Sequence, residues 1–299
     1  MSNNRITIFG EVLFDHFPDG SCVLGGAPFN VAWHLQAFGQ EPFFISRVGQ
    51  DRLGDSIRSA MQSWGMDLSG LQLDRAYPTG TVQVSIEQGE PSYAIVPEQA
   101  YDFIAADELA TAQSGGLLYH GTLALRHADS RRTLETLKAR HKGALFMDVN
   151  LRAPWWNKAE VLKRVGDADW VKLNHHELQA LHPGTGDINV DMRMFRAEYD
   201  LAGLVVTCGE QGAMAVNAND EVVAVAPVDA LAVVDTVGAG DAFASVLLLG
   251  INQGWPLQLT MERAQAFASA LVGQRGATVQ DPRFYRSFVD LWGLVAAAK

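Results

Sequence analysis

Apolar and polar positions alternate along this chain in two different ways. In the second half, short apolar runs at 117–123, 144–148, 170–173 and 204–207 are separated by longer polar or amphipathic segments, such as 129–142. Apolar runs of strand length between helical segments are typical of β-α-β units, in which helices cover both faces of a parallel sheet. The pattern therefore predicts an α/β protein with a mainly parallel central sheet.

The first third of the chain has strand-like segments that lie between glycine- and proline-rich turns. A hairpin is predicted within residues 12–24, and residues 79–86 alternate between polar and apolar positions before a turn at 88–91 and a return strand. One face of such strands can remain in water. These segments therefore predict a small sheet, set apart from the parallel one and formed by residues of about 12–24 and 79–97.

Helices are predicted where proline, glycine and amphipathic spacing agree. Pro28 suits the first turn of a helix that continues to Gly39, and residues 55–64 predict the next helix after a loop. Residues 258–274 and 287–298 predict two helices near the C-terminal end.

Composition narrows the functional classes. The chain has 299 residues, of which 48% are hydrophobic and 19% charged, as is ordinary for a globular protein. A formal net charge of −11 opposes binding to nucleic acid and to anionic membranes, and neither is expected as a partner. The longest apolar run, about 242–251, is too short to span a bilayer. Cys22 and Cys208 lie far apart and no signal peptide is recognised, which predicts a cytoplasmic location.

The segment with the clearest chemistry is 235–241 (D-T-V-G-A-G-D), which precedes an almost wholly apolar segment. Its two glycines leave backbone N–H groups unobstructed, and the apolar segment predicts a buried helix. N–H groups at the start of a helix, together with the helix dipole, form a site for an anion such as phosphate. Asp241 is either a helix-start residue stabilised by the dipole or a functional carboxylate, and the short motif alone does not decide between them.

Two motifs carry a family resemblance. The segment D-T-V-G-A-G-D resembles the C-terminal signature of the PfkB/ribokinase family of sugar kinases. Residues 25–32 (G-G-A-P-F-N-V-A) and 47–54 resemble the N-terminal signature, and the first of these is similar to the fructokinase branch. The resemblance implies that residues 1–299 form one kinase domain with a three-layer ribokinase-like α/β fold, in which the small sheet is a lid over the sugar.

The resemblance also implies roles around the sugar and the transferred phosphoryl group. Asp241 is the implied base that accepts the hydroxyl proton, and Arg152, in a D-x-N-x-R motif, is the implied phosphate contact. The amides of Gly238, Ala239 and Gly240 are implied to stabilise charge on the phosphoryl group. Without the signatures, Asp15 would more simply be a turn aspartate, and Asn30 a capping or core asparagine. The residues implied to hold the sugar are Asp15, Gly25, Gly26 and Asn30.

Nucleotide and ions are implied at neighbouring positions. Glu177, in an N-x-x-E motif, is implied to position Mg²⁺ through water, although the same spacing is that of a helix capping box. Asp235 matches the carboxylate of a monovalent-cation (K⁺) site. The adjacent His175 and His176 point to different faces of a helix and do not predict a metal site. The residues implied to bind the nucleotide are Asn174, Glu177, Thr207, Gly209, Gly212 and Gly276.

The predicted reaction transfers the γ-phosphoryl group of ATP to a hydroxyl of a small sugar, with fructose as the first choice of acceptor. Ribose, 2-keto-3-deoxygluconate and a nucleoside remain alternative acceptors. A non-catalytic protein that senses a sugar or a nucleotide remains an alternative class, because a fold does not determine an activity. A Rossmann oxidoreductase is disfavoured, since no Gly-x-Gly-x-x-Gly follows the first strand. The edges of the lid strands also suggest a homodimer formed through the lid.

Overall fold

The computed structural model describes residues 4–87, 90–109, 115–227 and 233–294. The strands, numbered in chain order, are β1 (Thr7–Phe9), β2 (Leu13–His16), β3 (Cys22–Gly25), β4 (Phe43–Gly49), β5 (Leu71–Asp74), β6 (Gly80–Glu87), β7 (Glu90–Ile95), β8 (Leu118–His120), β9 (Leu145–Asp148), β10 (Trp170–Asn174), β11 (Gly203–Thr207), β12 (Ala213–Asn217) and β13 (Val222–Val225). The helices are α1 (Ala27–Ala37), α2 (Arg52–Ser63), α3 (Ala128–Arg140), α4 (Lys158–Val165), α5 (His175–Leu181), α6 (Ile188–Glu198), α7 (Ala239–Gln253), α8 (Leu257–Val272) and α9 (Pro282–Trp292). Short 3-10 helices lie at Ala100–Phe103, Leu123–Arg126 and Gly209–Gln211.

The central sheet has the strand order β13-β12-β11-β10-β9-β8-β1-β4-β5. Neighbouring strands from β11 to β5 run parallel, whereas β12 and β13 are antiparallel additions at one edge. This confirms the prediction of a mainly parallel sheet.

Successive side chains of the central strands point into two different apolar layers. In β1, Ile8 packs into the layer that contains α1, α7, α8 and α9, whereas Phe9 packs on the side of α3. In β11, Val205 faces the first layer, and Leu204 and Val206 face the layer that contains α4, α5 and α6. Helices therefore cover both faces of the sheet, which confirms the three-layer α/β fold.

A second, small sheet has the strand order β3-β2-β6-β7. Strand β2 runs parallel to β6, and the other two pairs are antiparallel. Because β2 follows the carboxyl end of β1, this sheet is attached at the carboxyl ends of the central strands. The predicted small sheet is confirmed, while Gln88 and Gly89 of its predicted turn lie outside the described residues.

Helix α2 begins earlier than the sequence predicted. Asp51 has an extended backbone, and its side chain accepts a hydrogen bond of 2.8 Å from Gly54 N, so Asp51 caps a helix that begins at Arg52. The predicted start of this helix at residue 55 is therefore three residues too late.

The C-terminal helix also differs from its prediction. Helix α9 begins at Pro282, because Asp281 caps Arg283 N, and it ends before Gly293, which is in the left-handed conformation. The predicted boundaries, 287–298, were shifted towards the C-terminus, and residues 295–299 lie outside the described part of the chain. Strand β5 and helices α4 and α6 were not predicted.

Two helices from opposite ends of the chain are neighbours. Helix α1, which carries the N-terminal signature, packs against α7, which carries the C-terminal signature, and α7 packs against α8. The fold thus brings the two signatures together on one side of the central sheet. Across the described ranges, no helix is both long and apolar enough to cross a membrane.

Candidate active site

A cleft of about 510 Å³ opens between the carboxyl ends of the central strands and the small sheet. Side chains from both sheets, from the segment after β9 and from the beginnings of α1 and α7 line it. Ligands of open parallel sheets are generally bound at this end of the strands. The predicted site residues that line the cleft are Asp15, Gly26, Asn30, Arg152, Asn174, Glu177, Thr207, Gly238, Gly240 and Asp241.

The other predicted residues lie outside this lining. Gly25 packs behind Asp15, since a Cβ at Gly25 would lie 3.4 Å from Asp15 Oδ2. The amide of Ala239 donates a hydrogen bond of 3.3 Å to Thr236 O. The remaining predicted residues outside the lining are Gly209, Gly212, Asp235 and Gly276.

Asp241 lies in the first turn of α7 and accepts a hydrogen bond of 2.8 Å from Asn30 Nδ2 of α1. Asn30 is 4% exposed, so this bond joins the two signatures at the bottom of the cleft. Burial raises the pKa of Asp241 to about 6, and the hydrogen bond from Asn30 opposes the rise. Asp241 is thus ionised at neutral pH and is a stronger base than an exposed aspartate.

The turn before Asp241 exposes two backbone amides. Gly238 has a φ of 82°, and a Cβ there would lie 2.5 Å from Ala277 Cα, so the position requires glycine. Among the described residues, the amides of Gly238 and Gly240 have no backbone partner. Unpaired N–H groups at the start of a helix can accommodate a phosphoryl group.

A buried ion pair supports the same region. Lys172 Nζ donates to both carboxylate oxygens of Asp148, at 3.0 and 2.9 Å, and the two residues are 6% and 2% exposed. Burial lowers the pKa of Lys172, but the Asp148 carboxylate more than offsets this effect and the net pKa is raised. Lys172 therefore stays charged, and it lines the cleft beside Gly240, where a Cβ would lie 3.7 Å from its Nζ.

Glu177 holds three segments of the site together. Its Oε2 accepts from Asn174 N (2.8 Å), and its own amide donates to Asn174 Oδ1 (2.9 Å), so the capping box considered from the sequence is present. Its Oε1 accepts from Leu151 N at 2.7 Å, and burial raises its pKa. The rings of His175 and His176 lie 3.8 Å apart, and the described residues contain no metal-binding group of three or more His, Cys, Asp or Glu.

Asp235 joins two loops beside the cleft. Its Oδ1 accepts from Val237 N and its Oδ2 from Gly276 N, each at 3.0 Å. His34 of α1 strengthens the same junction, because its buried Nε2 donates to Ala277 O at 3.0 Å. The loop that precedes α7 is thus tied to the loop at 276–277, which is itself tied to α1.

Two charged residues of the lining, Glu11 and Lys172, were not predicted from the sequence. Lys172 interrupts the apolar strand β10, and Glu11 directly follows the first strand and Gly10. A charged residue among apolar strand residues is rarely buried without a partner or a function, and this signal was present in the sequence.

A model of the pfkB family of carbohydrate kinases matches residues 6–283. The chain belongs to this family. The kinase is 33% identical to a fructokinase of Klebsiella pneumoniae over 264 residues, a match that covers 83% of this chain and 85% of the relative.

Solved structures agree with this assignment. A fructokinase from Vibrio cholerae O395, in its fructose, ADP and calcium ion bound form, is 28% identical and has a TM-score of 0.82, with 96% of this chain and 99% of that chain covered. A double mutant of the fructokinase from Vibrio cholerae O395, in its fructose, ADP and potassium ion bound form, is 28% identical, with a TM-score of 0.82 and coverage of 95% and 98%. The chain is accordingly a carbohydrate kinase, a phosphotransferase with an alcohol group as acceptor.

Proposed function

We propose that this kinase transfers the γ-phosphoryl group of ATP to a hydroxyl of fructose. The observation that carries the proposal is the 2.8 Å hydrogen bond from Asn30 to Asp241, which puts a residue of the fructokinase-like signature against the candidate base. The relatives described above are fructokinases, and the two Vibrio cholerae structures hold fructose and ADP, which supports this acceptor.

Asp241 acts in this proposal as the general base that accepts the proton of the attacking hydroxyl. General-base help is typically worth about 10²–10⁴ in rate, or roughly 3–5.5 kcal/mol. The amides of Gly238 and Gly240 stabilise charge on the transferring phosphoryl group, and the amide of Ala239 joins them only if it leaves Thr236 O. The residues assigned to hold and orient the sugar are Asp15, Gly25, Gly26 and Asn30.

The nucleotide is assigned to the segments that follow β9, β10, β11 and α8. Arg152 is exposed and lines the cleft, where its guanidinium can meet phosphate oxygens. Because both oxygens of Glu177 already accept N–H groups, we assign it an outer role in which it orients water around Mg²⁺. Bound Mg²⁺ would offset phosphate charge, and Asp235 would face K⁺. The further nucleotide residues of the proposal are Asn174, Thr207, Gly209, Gly212 and Gly276.

An ATP-coupled screen over fructose, ribose, 2-keto-3-deoxygluconate and adenosine tests the acceptor. We expect ATP consumption that depends on added fructose and exceeds that with the other three acceptors. A preference for another acceptor would contradict fructose as the substrate but would leave the assignment of a sugar kinase intact. Sugar binding without any ATP consumption in the presence of Mg²⁺ and K⁺ would instead favour a sensing protein.

The homodimer and the cytoplasmic location also remain proposals. Both outer strands of the small sheet carry exposed apolar residues, Val23 on β3 (39% exposed) and Tyr93 on β7 (51% exposed), and a second copy could cover them. Light scattering of the purified chain would test the dimer. A Val23→Lys variant should remain monomeric if this surface is the interface.

The cytoplasmic location is consistent with a reaction that consumes ATP.

A further inference from the structure

Glu11 is a buried carboxylate of the cleft that the proposed reaction does not use. It is 3% exposed, and it lines the cleft together with Asn30 and Asp241. Its Oε2 is buried and has no hydrogen-bond partner within the described ranges. An acceptor that is buried without a partner costs stability, so its presence points to a group that arrives from outside the chain.

The backbone places Glu11 on the sugar side of the cleft. Glu11, Leu13 and Asp15 all line the cleft, as expected for alternate residues of an extended segment, which point to the same side. The glycine turn of the N-terminal signature packs directly on this segment, because a Cβ at Gly26 would lie 2.8 Å from Glu11 O. Glu11 therefore continues the wall that ends at Asp15.

Charge also separates Glu11 from the phosphate side of the cleft. A carboxylate repels phosphate, and Lys172 and the amides before α7 mark the phosphate side of the cleft. Arg152 lies between the two sides, because its charge also lowers the pKa of Glu11 and of Asp15 against the effect of their burial. Burial raises the pKa of Glu11 to about 7, so at neutral pH it is present both as an acceptor and as a donor. Either form can pair with a sugar hydroxyl, since a hydroxyl both donates and accepts hydrogen bonds.

We propose that Glu11 binds a hydroxyl of the sugar and helps determine which sugars the kinase accepts. The hydroxyl is one that is not phosphorylated, because Asp241 serves the reacting one. This inference rests on the proposed function, and so the wild-type screen with fructose comes first. If that screen identifies another sugar as the preferred acceptor, the same experiments are done with that sugar.

The first test compares Glu11→Met and Glu11→Ala, neither of which can form a strong hydrogen bond to a hydroxyl, with the wild type. Loss of a hydrogen bond to this carboxyl should raise the sugar KM by roughly 10- to 100-fold, while the ATP KM changes less than about twofold. Glu135→Gln, at an exposed position on α3, removes a carboxylate elsewhere and should leave both constants unchanged. An equal rise of both KM values in the Glu11 variants would contradict the proposal.

The second test uses single-deoxy derivatives of the accepted sugar. The wild type should lose roughly 10- to 100-fold in kcat/KM with the derivative that lacks the partner hydroxyl, whereas Glu11→Ala should not distinguish it from the parent sugar. If the alanine variant fails to fold, Glu11→Met, which keeps most of the side-chain volume without a strong hydrogen-bonding group, serves in its place.

The alternative is a structural role for Glu11 beneath the small sheet. Tyr101 Oη and Arg126 Nη1 are likewise buried and have no hydrogen-bond partner among the residues that the structure describes, and Arg126 lies over the Tyr101 ring at 5.2 Å. If Glu11 served only these residues, its variants would lower the melting temperature and would discriminate among the deoxy sugars as the wild type does. That result would overturn the assignment.

Discussion

Asn30 Nδ2 donates a hydrogen bond of 2.8 Å to Asp241 Oδ2, although the two residues are 211 positions apart in the chain. Asn30 is buried, and its bond favours the ionised form of Asp241 against the burial that raises the Asp241 pKa. The same amide group thus belongs to the wall assigned to the sugar and adjusts the basicity of the assigned base. The two assignments together predict that sugar binding and proton acceptance are coupled through this hydrogen bond.

Replacement of Asp241 by asparagine tests the assigned base. The variant keeps the shape of the side chain but cannot accept a proton, so kcat should fall by at least about 100-fold. Affinity for the nucleotide, measured by calorimetry, should change little. Turnover close to that of the wild type would show that another group accepts the proton.

The dependence of kcat/KM on pH should show an acidic limb near pH 6. The pKa of Asp241 is raised from 3.8 to about 6, so the ionised base is lost as the pH falls through 6, and activity falls about tenfold per unit below that value. A pH–rate profile at saturating ATP measures this acidic limb. Activity that stayed constant down to pH 4.5 would contradict the assignment of Asp241 as the base.

Asn30→Ala should change sugar binding and the pH profile together. Loss of the amide should raise the sugar KM by roughly 10-fold and spare the ATP KM. Because the bond from Asn30 lowers the Asp241 pKa, its removal should also move the acidic limb to higher pH. Protonation of ATP cannot explain such a shift, because it is the same for both proteins. An acidic limb at the same pH in both proteins would show that Asn30 does not influence the Asp241 pKa.

The central sheet and the glycine turn before α7 could be predicted because each is encoded by residues that are close together in the sequence, namely short apolar runs and a Gly-x-Gly segment before an apolar helix. Contacts between distant segments were not predictable in this way. Lys172 pairs with Asp148 only because β10 lies beside β9 with these two residues opposite each other in register. The early start of α2 depends on Asp51, which also bonds to Thr79 at 2.8 Å. The roles of the two signatures were inferred from the family resemblance. The contact between them is produced by the packing of α1 on α7 and was not predictable from either signature.

Lys172→Met tests the buried ion pair. The substitution leaves the Asp148 carboxylate buried without its cation, and the free energy of unfolding should fall by about 3–5 kcal/mol. Lys138→Met is the matched control, since the side chains of its partners Glu135 and Asp167 are 59% and 42% exposed and the cost should stay below about 1 kcal/mol. Urea denaturation measures both. Equal losses in the two variants would mean that burial of the pair is energetically unimportant.

His34 should make the stability of the protein depend on pH. Its Nε2 donates to Ala277 O (3.0 Å), its Nδ1 lies 2.9 Å from Tyr285 Oη, and burial lowers its pKa from 6.5 to about 3. The unfolded chain binds a proton as the pH falls below 6.5, and the folded protein does not until about pH 3. His34 therefore costs stability progressively between these values, at about 1.4 kcal/mol per pH unit.

His34→Gln removes this titration while it leaves the other titratable groups in place. The variant loses packing at every pH, and so the informative quantity is the difference in unfolding free energy between wild type and variant, measured from pH 7.5 to pH 4.5. Because only the wild type is penalised by protonation of residue 34 in the unfolded chain, that difference should shrink as the pH falls. A difference that is constant with pH would mean that His34 is protonated equally in both states and is not held neutral between α1 and the loop at Ala277.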